Sequence, residues 1–185
     1  MTKVILYVTM LVLTLFSCTT TKKVTNVLEY KSDKLCTGIK NMQELIESSK
    51  DLKNHFKDIL SDTTKLKYEL DTIVTEGVPT MFFDKEISTI IMQNEKIPSK
   101  QAYSRLYIKS QIENPLKLNT RCINNTKIQR PDVKVSFWFY PEYGLLISEV
   151  SKIKYKREYG KGYLFLAKIS DDGKLNIIKT TNWTE

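Results

Sequence analysis

The stretch from Asp132 to Trp183, "DVKVSFWFYPEYGLLISEVSKIKYKREYGKGYLFLAKISDDGKLNIIKTTNW", constrains this chain more than any other. Runs rich in aromatic and β-branched residues cover Val133 to Tyr140, Leu145 to Lys156, Tyr163 to Ser170 and Lys174 to Trp183. Turn-forming clusters at Pro141 to Gly144, Arg157 to Gly162 and Asp171 to Gly173 separate them. Such runs in succession predict an antiparallel meander. A sheet of this kind must bury a face, so the residues before it have to supply the helices that cover it.

Those residues carry a different period. Ile39, Met42, Leu45, Ile46, Leu52, Phe56, Ile59 and Leu60 recur at steps of three and four, which predicts one helix from Ile39 to Leu60. Leu66, Leu70, Ile73 and Val74 predict a second helix, stopped by Gly77 and Pro79. "TMFFDKEISTIIM", bounded by Asn94 to Pro98, reads as a strand. "SKQAYSRLYIKSQIE" reads as a third helix capped by Ser99 and ended before Pro115, and "LKLNTRCINNTKIQRP" as part strand with a turn at Asn124 and Asn125. The expected fold class is α+β, a single domain over residues 37–185 with N-terminal helices packed on a curved antiparallel sheet.

The N-terminus reads as an address. Lys3 precedes an apolar run from Val4 to Phe16, too short to cross a bilayer as a helix, which needs about 20 residues. Its length and flanks are those of a secretory signal over residues 1–17. The run closes on "LFSC", Leu15 to Cys18, which resembles the bacterial lipobox, and the resemblance implies lipidation of Cys18. The thiolate is the nucleophile that such acylation requires. Residues 18–36 then form a lipidated tether, because "TTTKKVTNVLEYKSDKL" shows little periodicity. Thr19 stands where enterobacterial lipoproteins carry an inner-membrane aspartate, so the resemblance implies the outer membrane of a bacterial envelope, with the domain facing the periplasm.

Composition narrows the partners. With 41% hydrophobic and 27% charged residues the chain is an ordinary globular protein. Its net charge of +8 comes from dispersed lysines, so attraction to anionic lipid or glycan is expected and a nucleic-acid partner is not. Beyond Cys18 two cysteines remain, Cys36 and Cys122, and in an oxidising compartment they are expected to form one bridge, two separate thiols being the alternative. The sole histidine, His55, lies in a helical stretch without CxxC or HExxH, so neither a metal site nor a cofactor is expected.

Two segments, "FFDKEISTIIMQNEKIPSKQAYSRL" and "GKGYLFLAKISDDGKLNIIKTTNW", resemble the nuclear transport factor 2-like superfamily in its SnoaL-like branch. The resemblance implies a cone whose concave sheet face lines a pocket, a frame shared by isomerases, dehydratases and pure binding domains.

Register follows from the turns independently. A three-residue loop at Asp171 to Gly173 with Gly173 left-handed pairs Ile169 with Leu175, Ala167 with Ile177 and Phe165 with Lys179. Pairing Phe139 with Leu145 and Tyr155 with Tyr163 then gathers Phe137, Ile147, Tyr155, Phe165 and their neighbours on one apolar face. Glu149 and Lys179 are out of place there, so the expected ligand-binding set is Glu149, Lys179, Phe165, Tyr155 and Phe137. Glu149 is then a ligand anchor or general base with a raised pKa, or half of a pair with Lys179, or turned to solvent by a bulge. The expected function is a membrane-anchored, non-catalytic domain that binds a small ligand or an envelope partner. An isomerase or dehydratase using Glu149, and an immunity-type lipoprotein that binds another protein, are the alternatives.

Overall fold

The computed structural model describes residues 21–62, 64–76, 82–110, 114–118, 120–123, 130–152 and 160–184. The chain divides into two units, residues 1–33 and 34–185. Helix α1 (Thr21–Ser48) begins in the first, and every later element belongs to the second. It starts inside the segment expected as a tether, where no Gly or Pro interrupts the chain from Thr21 to Thr37. The signal segment and Cys18 lie outside the described residues.

The expected long first helix is broken at Ser49, whose side chain accepts a hydrogen bond from the Leu52 N–H at 3.2 Å and so caps α2 (Lys50–Phe56). The next two elements exchange types. Residues expected as a second helix form strand β1 (Tyr68–Glu76), because Thr72, Ile73, Val74 and Thr75 are consecutive β-branched residues that crowd a helix and suit a pleated surface. Residues expected as a strand form helix α3 (Asp84–Glu95). Phe83, Ile87 and Ile91 recur every four residues and are all fully buried, and Asp84 and Glu86 complement the helix dipole in the first turn. The third expected helix is α4 (Ser99–Ser110).

Strands β2 (Asn114–Lys117), β3 (Val133–Tyr140), β4 (Leu145–Lys152), β5 (Lys161–Ile169) and β6 (Leu175–Thr184) complete a six-stranded sheet in the order β2-β1-β3-β4-β5-β6. The pair β1–β3 is parallel and the others are antiparallel. The sheet is open and does not curl, which overturns the expected cone and the nuclear transport factor 2-like assignment. The physical reason is the crossover. Parallel strands need a long connection, and here it carries α3 and α4 across the second face.

Both faces are therefore core. On one, Ile39, Met42, Ile46, Leu52 and Phe56 of α1 and α2 cluster with Val135, Phe137, Leu146 and Phe165. On the other, Phe83, Ile87, Ile91, Ala102 and Leu106 cluster with Tyr140, Leu145, Ile147, Leu164 and Leu166. Burial on two sides explains the near-continuous apolar runs "LLI" in β4 and "YLFLA" in β5. Cys36 and Cys122 are joined by a disulfide, with Cα atoms 4.6 Å apart, and Gln43 Nε2 donates to the Cys122 carbonyl at 3.3 Å.

The expected single pocket face does not survive the observed register. Gly173 is left-handed at φ 80°, and Ile169 pairs with Leu175 and Ala167 with Ile177. A bulge then intervenes, so that Lys179 lies opposite Leu166 rather than Phe165. At the β3–β4 turn Phe139 pairs with Leu146, not Leu145, and this one-residue difference moves Leu145, Ile147 and Glu149 to the opposite face. Tyr163 pairs with Val150 rather than Tyr155, and Tyr155 lies outside the described residues.

Candidate functional site

The five residues expected to bind ligand do not form one constellation. Phe137 and Phe165 are buried in the core beneath α1 and α2, whereas Glu149 and Lys179 occupy the α3–α4 face. There Glu149 lies between Ser136 and Leu164 on the neighbouring strands. Its Oε1 accepts a hydrogen bond from Trp183 Nε1 at 3.0 Å. Trp183 is paired with Gly162, and the indole passes so close that a Cβ on Gly162 would sit 2.3 Å from Nε1. Only glycine lets the ring cross the strand to reach the carboxylate. Lys179 pairs with Glu86 of α3 instead of Glu149.

Burial pushes the Glu149 carboxyl above its ordinary value of 4.5, and the Trp183 hydrogen bond opposes that rise in part. A carboxyl whose pKa is raised on folding contributes stability that is full below the unfolded value and is lost as pH rises through the folded one. Glu149→Gln removes the charge but keeps an oxygen for the indole N–H. The variant is expected to outlast the wild type in denaturant at neutral pH, the gap closing as pH falls through the raised folded value and being closed below about 4.5. Parallel loss of stability in the two proteins between acid and neutral pH would refute this account of Glu149.

His55, expected in a helical stretch, is half-buried at the end of α2. Its ring meets Phe56 at 4.9 Å and Tyr163 at 5.9 Å between centroids, while its backbone carbonyl accepts from Lys161 Nζ at 2.7 Å. Burial, and then the Lys161 charge, hold the imidazole pKa below its usual value. These contacts belong to the packing of α2 against β5. Among the described residues no cluster of three or more His, Cys, Asp or Glu side chains could hold a metal ion.

A cavity of about 490 Å³ lies elsewhere on the α3–α4 side, lined by Asn94, Glu95, Arg105, Ile108, Tyr140, Glu142 and Tyr143. Three local features bring them together. Helix α3 ends at Glu95, with Lys96 left-handed at φ 54° as its C-cap, so the chain turns at Pro98 into α4. That corner brings Arg105 Nη1 to 2.5 Å from Glu95 Oε2. The turn Pro141 to Gly144, with Gly144 at φ 61°, brings Tyr143, whose hydroxyl donates to Glu95 Oε1. The Tyr140 and Tyr143 rings meet edge to face, with centroids 4.9 Å apart and planes at 84°. Burial raises the pKa of both phenols, the hydrogen bond to Glu95 adds to the rise at Tyr143, and the Glu142 charge adds to it at Tyr140. Both stay protonated at neutral pH.

Sequence reasoning treated Pro141 to Gly144 only as a turn and missed this site. The available signal was Tyr143: a tight turn is satisfied by Pro and Gly alone, so a large aromatic residue in it, next to Tyr140 at the strand end, calls for another reason.

No family model, curated protein or solved structure matches this chain. The resemblance to the nuclear transport factor 2-like superfamily therefore fails on family comparison as well as on topology, and no family match supports the lipobox resemblance of Leu15 to Cys18. None of the described helices is long and apolar enough to cross a membrane.

Proposed function

We propose that this protein is an exported domain, anchored to the bacterial envelope through lipid on Cys18 and facing the periplasm, that binds a small ligand without transforming it. The observation that carries the binding reading is the cavity between the α3–α4 corner and the β3–β4 turn. Its volume is within the range of small-molecule sites, roughly 300–1,000 Å³, and its wall combines apolar and aromatic surface with a few fixed polar groups. Both oxygens of Glu95 are engaged, by Arg105 and by Tyr143, which suits orientation of a ligand better than proton transfer. Glu149, whose pKa burial raises, is not among the cavity-lining residues. Export is supported by the apolar run from Val4 to Phe16 and by the Cys36–Cys122 bridge, since structural disulfides persist in oxidising compartments.

Two measurements test this. Metabolic labelling with a palmitate analogue should tag the wild type and leave Cys18→Ser unlabelled. Equal labelling would remove the anchor and leave the cavity unaffected. Amide NMR of the folded protein against a small-molecule library should give shifts clustered at Glu95, Arg105 and Tyr140 to Tyr143. If hits scatter over the surface or none appear, the binding reading fails.

A further inference from the structure

We infer that the solvent-facing side of α4 docks on an anionic phospholipid bilayer. This rests on the anchoring reading above and names the face of the domain that meets the membrane.

Ala102 and Leu106 are buried and fix the inward side of α4. A helix advances 3.6 residues per turn, so Ser104, two residues from each, points the opposite way. Side chains three and four positions along are neighbours on a helix surface, which puts Lys100, Tyr107 and Ile108 around Ser104, with Tyr103 beside Tyr107. All are exposed, Tyr103 at 44%, Tyr107 at 66% and Ile108 at 59%. Among the described residues six large apolar or aromatic side chains are exposed, and three of them are on this one helix. Single exposed residues of this kind are ordinary, whereas three together on the outward side of a short helix point to a second surface.

Charge and side-chain type select that surface. From Lys96 to Ser110 the chain carries no acidic residue. Arg105 is held by Glu95, which leaves the exposed Lys96 and Lys100 to flank the apolar group. Lysines in such a position are drawn to anionic headgroups. Tyrosine suits the same boundary, because its ring enters the edge of the apolar layer while its hydroxyl stays among the headgroups. A convex helix side that mixes apolar and basic residues lies in the plane of such an interface. Glu95 and Glu142 share the cavity with Ile108, so the contact ends at that rim.

Anchoring makes a weak contact sufficient. Lipid on Cys18 keeps the domain within tether reach of the bilayer, so docking is an intramolecular step at high effective concentration. A soluble protein partner has no such advantage.

In the test, the photo-crosslinking residue p-benzoylphenylalanine replaces Tyr107, or Asn54 of α2 as the control, in the full chain. The protein is reconstituted into phosphatidylcholine vesicles with and without phosphatidylglycerol. Asn54 is exposed on the helix layer of the other sheet face. Illumination should give phospholipid adducts, read by mass spectrometry, mainly at residue 107 and mainly with phosphatidylglycerol present. Lys96→Gln and Lys100→Gln should each lower that yield about fivefold, the worth of one lysine at an anionic surface. Equal yields at residues 107 and 54 would mean that the tethered domain turns freely, so that docking is overturned and the anchor stands. Adducts of residue 107 to a second copy of the chain instead of lipid would overturn docking in favour of self-association. If the chain fails to float with the vesicles, docking and anchor both fall.

Discussion

Removing the disulfide, by Cys36→Ser with Cys122→Ser, is expected to lower stability by roughly 4 to 5 kcal/mol, because the bridge closes a loop between residues 86 apart. Chain entropy makes the effect large: the bridge restricts the unfolded chain over nearly half its length, from α1 to the segment before β3. The native state loses less, since Cys122 is buried and Gln43 still holds its carbonyl. The measurement is a denaturant midpoint for the double-serine variant against the oxidised wild type. Coincident midpoints would show that the bridge constrains nothing. A partial effect is informative as well, because residual structure in the reduced chain diminishes the entropic term.

Leu145→Ala and Leu146→Ala are each expected to cost about 2 to 5 kcal/mol, as deletion of a fully buried leucine side chain does. These neighbours on β4 point to opposite faces, Leu145 against α3 and α4 and Leu146 against α1 and α2, and both are completely buried. In a sheet with one wet face, one of the two changes would be nearly silent. Two comparable losses are therefore a signature of helices on both sides. A shift below about 0.5 kcal/mol in either variant, the range of ordinary surface substitutions, would mean that one helical layer is misplaced. The pair reports on the two layers and not on register, because a one-residue slip only exchanges which leucine meets which layer.

The site was less legible than the strands, for reasons that differ residue by residue. Glu149 was recognisable as a carboxylate in apolar surroundings, and it is part-buried with a raised pKa. Its partner was not recognisable, because Lys179, on the same face, is taken by Glu86 of α3, and Trp183 reaches the carboxylate across Gly162. Phe137 and Phe165 were read as pocket lining because alternation alone cannot distinguish a face that meets ligand from one that meets a helix. The Glu95–Arg105–Tyr143 group was invisible for another reason. Its members are 10 and 38 residues apart in sequence, and no spacing rule links a helix corner to a β-turn.

What the sequence by itself determined is local. Strands β3 to β6, the turns at Pro141 to Gly144 and at Asp171 to Gly173 with Gly173 left-handed, the helix beginning at Ser99 and the pairing of Ile169 with Leu175 all follow from side-chain period and turn chemistry. What only the tertiary structure decided is everything that depends on long-range partners. Residues 68–76 became a strand because β2 and β3 were there to pair with, and residues 84–95 became a helix because the second face of the sheet needed covering. Short apolar segments satisfy helix and strand about equally well in isolation, and a few kcal/mol of packing outweighs their intrinsic preference. The same holds for the cavity. Its residues acquire a shared chemistry only after the crossover has carried α3 and α4 over the β3–β4 turn, because proximity between distant segments is a property of the packed chain and not of its local pattern.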